Sequence, residues 1–150
     1  MVGVVVVSHM NLAVEMVATA EHIVGKFERV VAVPIALADS SETIHDRLKE
    51  AVARVDTGAG VLVLTDAFGG SATNVALPFL AEKKFEVLTG INLPILIRLQ
   101  SMDRARPLDE IARELRDYGQ KNILLATEML AARRAARAKG KGRESPRGGP

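Results

Sequence analysis

At 150 residues, with no cysteine and a formal net charge of +2, the chain is long enough to bury one core without disulfides, and thiolate chemistry is excluded. Hydrophobic residues make up 48% of it and aromatics only 3%, so the interior is built from Val, Leu, Ile, Ala and Met, the filling of an α/β layer fold. Residues 133–150 carry 7 Lys/Arg against 1 acid, and residues 1–132 carry 13 against 17, so the basic character belongs to the tail and a nucleic-acid-binding fold is not expected.

The first strand is the run Val4-Val5-Val6-Val7, which ends in Ser8-His9. A continuous β-branched run reads as a strand buried on both faces of a parallel sheet, and ligands of such sheets bind beyond the carboxyl ends of the strands, where His9 falls. The run is too short for a membrane span, lacks a basic flank and is followed by an acidic helix, so neither a targeting segment nor direct membrane insertion is expected. A cytoplasmic location is the expectation, compatible with the missing cysteines. Asn11 is a candidate N-cap for a helix with Leu12, Met16, Ala20 and Ile23 inward, closed by Gly25.

Val30 to Ala36 reads as a second strand, with Pro34 arguing for a sheet edge or strand end. Asp39-Ser40-Ser41 offers capping oxygens for a helix on which Ile44, Leu48, Ala51, Val52 and Val55 repeat at helical spacing. The third strand, Val61-Leu62-Val63-Leu64, runs into Thr65-Asp66-Ala67-Phe68-Gly69-Gly70-Ser71, where the glycines permit close backbone approach and Ser71 can cap the next helix. Pro78 predicts a kink or early break in that helix. Phe85 to Thr89 is a fourth strand, and Asn92-Leu93-Pro94 starts a short helix with proline in its first turn. Pro107 opens a helix with Leu108, Ile111, Ala112 and Leu115 inward, ending at Gly119. Residues 122–127 are ambiguous between a short strand and a buried helix turn. From Arg133 onward the composition predicts a disordered tail, with a helical stub before it. The expected fold is a doubly wound, mainly parallel four-stranded sheet with helices on both faces.

In that fold the first and third strands can bring His9 and Asp66 to one edge. An Asp that accepts the N–H of one ring nitrogen leaves the other nitrogen's lone pair free to attack an electrophile. Backbone N–H groups of the Gly69-Gly70-Ser71 turn, with the serine hydroxyl, can hold phosphoryl oxygens. His22 and His45 lie on polar helix faces, and no clustered His or Cys spacing supports a metal or cofactor.

Three blocks, Val4 to His9, Val61 to Ser71 with Asn74, and Thr89-Gly90-Ile91-Asn92-Leu93-Pro94, together resemble the IIA component of the mannose-type phosphoenolpyruvate:sugar phosphotransferase system. The likeness covers about residues 1–130. It implies that His9 is phosphorylated through Nε2, that Asp66 holds its Nδ1 and that Ser71 contacts the phosphate. It also implies HPr as phosphoryl donor, an IIB-type protein as acceptor, and a homodimer exchanging a fifth, antiparallel strand. Met10 stands where the family has glycine after the histidine, Ala72 where it has proline, and Ile95 where it has methionine. No IIB domain follows, so any acceptor is expected on another polypeptide or is absent, and residues 131–150 are expected as a basic tail. Two alternatives share the fold: a regulatory sensor phosphorylated at His9 without transport, and a dihydroxyacetone-kinase phosphodonor subunit.

Overall fold

Four strands, β1 (Gly3–His9), β2 (Val30–Ile35), β3 (Val61–Thr65) and β4 (Phe85–Thr89), pair in the order β2-β1-β3-β4, every ladder parallel. The chain is described by a computed structural model covering residues 1–78 and 84–141, apart from the side chains of residues 71, 72 and 139–141. It divides into two compact units, Met1–Gln120 and Lys121–Pro150. The sheet and helices α1 (Leu12–Val24), α2 (Ser41–Val55), α3 (Ser71–Ala76), α4 (Leu93–Ser101) and α5 (Leu108–Lys121) make the first, α5 reaching one residue beyond it.

The valine run explains the layering. Successive side chains of a strand point to opposite faces, so Val5 and Val7 join Val33, Ile44, Leu48, Val52, Val55 and Val63 in one core, beneath α2 and α3. Val4 and Val6 join Ala13, Ala20, Leu62, Leu64, Leu96, Leu99, Ile111 and Leu115 in the other, beneath α1, α4 and α5. Both faces being covered, the sheet is the doubly wound arrangement expected. Pro34 sits in β2, an edge strand, where its missing N–H removes no ladder bond that the sheet needs.

Four local expectations are corrected. Helix α1 buries Ala13 and Ala20, with Met16 and Val17 half-buried, and leaves Leu12 and Ile23 exposed, so its inward face is turned from the one expected. Asn11 occupies the cap position without capping, because the Ala13 N–H donates instead to Ser8 Oγ at 2.5 Å. The N-cap of α3 is Gly70, and Ser71 is the first helical residue. Gly119 does not end α5 but lies buried within it: a Cβ there would stand 2.6 Å from Ile95 Cδ1, so only glycine lets α5 approach α4 this closely.

Helix α3 ends at Ala76, ahead of Pro78, whose ring is incompatible with the preceding turn of a continuing helix. In the second unit residues 123–125 form no helix or strand, and α6 (Ala126–Lys141) runs past Arg133, so residues 133–141, expected in a disordered tail, are helical. Residues 142–150 of the expected tail lie outside the described residues.

Candidate active site

The register decides which residues meet. Val7 pairs with Thr65 across β1 and β3, so Asp66, the first residue past β3, stands at the same sheet edge as the end of β1, where His9 is the last strand residue. Asp66 Oδ2 accepts both the His9 backbone N–H and the His9 ring Nδ1, each at 2.9 Å, while Oδ1 accepts the Ala67 N–H at 2.9 Å. One carboxylate therefore fixes the strand end, the ring and the start of its own loop.

Burial of Asp66 pushes its carboxyl up, but the bonds from the His9 N–H, the His9 ring and the Ala67 N–H together outweigh that, so it is held below the ordinary carboxylate value of 3.8. An ionised carboxylate oxygen can only accept. Nδ1 must then carry the hydrogen, which places the free lone pair on Nε2. The side chain of Asp66 is 13% exposed and that of His9 47%, so the orienting group is shielded while the ring stays open to a reactant.

The glycine turn lies against the nucleophilic edge of the ring. A Cβ on Gly70 would fall 2.8 Å from His9 Cε1 and 3.3 Å from Nε2, so a side chain at 70 cannot be accommodated without displacing the imidazole. Gly69 supports this approach with φ +81°, which glycine adopts without steric cost. The loop is braced from beneath: buried Thr73 donates its hydroxyl to the Ala67 carbonyl at 2.6 Å and bonds Thr65 Oγ1 at 3.1 Å. On the other side of His9, the Ser8 hydroxyl donates to the His9 carbonyl at 3.3 Å while capping α1.

His9, Asp66, Gly69 and Gly70 are thus brought to one place, and Ser71 begins α3 immediately after them; the Ser71 hydroxyl lies outside the described residues. His22 and His45 are both exposed on helices α1 and α2, away from this cluster. Sequence reasoning missed Ser8, Thr65 and Thr73. A signal existed for the last two, since polar residues flanking a strand-to-helix turn in a buried setting need hydrogen-bond partners. Among the described residues no group of three or more His, Cys, Asp or Glu could hold a metal ion, and no helix is long and apolar enough to cross a membrane.

A ring nitrogen with a free lone pair, a glycine turn against it and a shielded carboxylate behind it make an arrangement suited to holding and passing a phosphoryl group, where placement and electrostatics supply most of the catalysis. Known proteins are similar to this chain in sequence and in fold. The chain is 29% identical over 124 residues to the PTS system mannose-specific EIIAB component of Escherichia coli (strain K12), covering 81% of this chain and 38% of that protein. It is 26% identical over 131 residues to the PTS system fructose-specific EIIA component of Bacillus subtilis (strain 168), covering 87% and 90%. The chain thus spans well under half the length of its E. coli relative. Among solved structures it is similar to the phosphotransferase system component EIIA from Streptococcus agalactiae, with TM-score 0.75, 26% identity and 85% and 99% of the two chains covered. It is also similar to the mannose/sorbose specific IIA subunit from Enterococcus faecalis, with TM-score 0.71, 27% identity and 83% and 93% covered. Residues 3–115 match the family described as the PTS system fructose IIA component, and the chain belongs to that family.

Proposed function

We propose that the protein is a phosphohistidine carrier that accepts a phosphoryl group from phospho-HPr on His9 Nε2 and passes it to a separate IIB-type protein in sugar phosphotransfer. The observation that carries this reading is the Asp66 carboxylate on Nδ1 with Gly70 against Nε2: one nitrogen is fixed, and the other lies beside the glycine turn that opens α3. In the transfer the Nε2 lone pair forms the new N–P bond as the donor's N–P bond breaks, and the donor nitrogen keeps the electron pair. Asp66 balances the positive charge that develops on the ring, while the amides of the Gly69-Gly70-Ser71 turn and the Ser71 hydroxyl hold the non-bridging oxygens.

The reading extends to a cytoplasmic homodimer in which residues 122–127 are exchanged as an antiparallel edge strand. Two observations support it. Strand β4 has no neighbour on its outer side among the described residues, and Ile123, Leu124 and Leu125 stand exposed without regular structure. An open edge and an exposed apolar segment are both liabilities that exchange removes.

The test is incubation with phosphoenolpyruvate, enzyme I and HPr, followed by analysis for acid-labile, base-stable phosphate. His9→Ala abolishes labelling on this reading, while His22→Ala and His45→Ala retain it; labelling of the His9 variant at the wild-type rate would overturn the site. Addition of a candidate IIB protein then separates a carrier, which passes the group on, from a regulatory sensor, which holds it.

A further inference from the structure

Directly after His9 the backbone does something an ordinary side chain resists. Met10 has φ +51°, in the left-handed region that non-glycine residues enter at a steric cost, and it is held there by its N–H donating to the Ile35 carbonyl at 2.7 Å. Glycine would take this conformation without that cost. Methionine gains little burial in exchange, since it is 60% exposed.

Two more apolar side chains are displayed at the same sheet edge. Leu37, two residues past the end of β2, is 97% exposed, and Phe68, two residues past Asp66, is 77% exposed. Because β1 lies between β2 and β3, the loops that carry Leu37 and Phe68 leave the sheet on either side of the strand that ends before Met10. The turn bearing Leu37 is pinned: Asp39 accepts the Ala36 N–H at 2.8 Å, donates its own N–H to the Ala36 carbonyl at 3.1 Å, and is gripped by Arg47 at 2.7 and 3.2 Å. Apolar tips on braced loops around a reactive nitrogen are a contact surface, in contrast to single hydrophobes scattered over a fold.

We infer that Met10 is a donor-selecting residue, whose side chain is covered by an apolar patch on the phosphohistidine-bearing donor protein when that protein brings its phosphorus in line with His9 Nε2. The inference rests on the phosphocarrier reading above. Transfer between two side-chain nitrogens requires the surfaces around them to touch, so a protein donor must cover the residue next to His9, whereas a small phosphoryl donor covers nothing. The same residue then separates donors by size and surface without entering the chemistry. Flexible methionine suits such a surface because it fills irregular gaps.

The experiment compares phospho-HPr with phosphoramidate, a small donor whose N–P bond breaks as Nε2–P forms and ammonia leaves. For Met10→Gly the ratio of kcat/KM for phospho-HPr to that for phosphoramidate falls roughly tenfold, the loss common for a truncated central contact, and the change lies in KM. Met10→Leu, which keeps apolar volume, restores the ratio, and Met10→Gly melts no lower than wild type because the backbone cost is relieved. An unchanged or raised ratio in Met10→Gly, or a loss confined to onward transfer to an IIB protein, overturns the assignment. Failure of wild-type His9 to be labelled by either donor overturns the phosphocarrier reading itself.

Discussion

Asp66→Asn separates orientation from shape. Asp66 accepts three hydrogen bonds at 2.9 Å, two on Oδ2 and one on Oδ1, and an amide has only one accepting oxygen. If that oxygen takes the place of Oδ2, the amide NH2 opposes the Ala67 N–H and the loop loses a bond. If the amide is flipped, its NH2 opposes both the His9 N–H and Nδ1, which forces the hydrogen onto Nε2 and removes the nucleophile. Neither arrangement supplies the charge that balances the developing imidazolium. Phosphoryl transfer should slow by roughly 10²–10⁴-fold, the range for losing an orienting acid–base partner. Loss of about one charge-assisted bond should cost roughly 1–3 kcal/mol of stability, leaving the domain folded. Linkage gives a second readout. Because the folded carboxyl lies below its ordinary value of 3.8, ionised Asp66 stabilises the fold above about pH 5, and that stabilisation is lost as pH falls through the folded value. The wild-type protein should therefore fall toward the stability of the Asn variant as acid removes a contribution that only the carboxylate makes. Single-turnover labelling beside thermal melts across pH 3–7 checks all of this. Transfer within a few-fold of wild type would remove Asp66 from the mechanism, and a stability difference that persists undiminished in acid would refute the linkage argument.

Gly70→Ala drives a Cβ to 2.8 Å from His9 Cε1, so labelling should fall by about 10²-fold as the ring is displaced, with little change in melting temperature; near wild-type labelling would show that the ring has room to spare. Cutting after Ala132 removes residues that are exposed as far as residue 138, so the melting temperature of the first unit should hold, and a large drop would mean that the tail docks on it. Sedimentation at micromolar concentration should give twice the chain mass of 16.1 kDa, and a monomeric mass would contradict strand exchange.

The order of strands and helices, the two-faced burial of β1 and the nearness of His9 to Asp66 at one sheet edge were legible in the sequence. They depend on local quantities: an unbroken β-branched run cannot leave either face wet, and a strand-end His, Asp and Gly-Gly turn carry their chemistry with them. The inward face of α2 was legible for the same reason, since Ile44, Leu48, Ala51, Val52 and Val55 repeat at helical spacing and all are buried. The inward face of α1 was not, because Leu12, Val14 and Ile23 are as apolar as Met16 and Val17, and only the position of α4 and the sheet decides which of them loses water. Capping by Ser8 in place of Asn11 depends on the left-handed turn at Met10, a backbone event that residue types do not announce. Buried Arg104, which donates to the carbonyls of Val2 and Glu28, could be placed only once the chain had brought together residues 102 and 76 positions apart. The same holds for the site's central fact. Sequence named His9 and Asp66, but that one carboxylate oxygen serves both the backbone and the ring of His9 follows from the register of β1 against β3, which only the packed sheet sets.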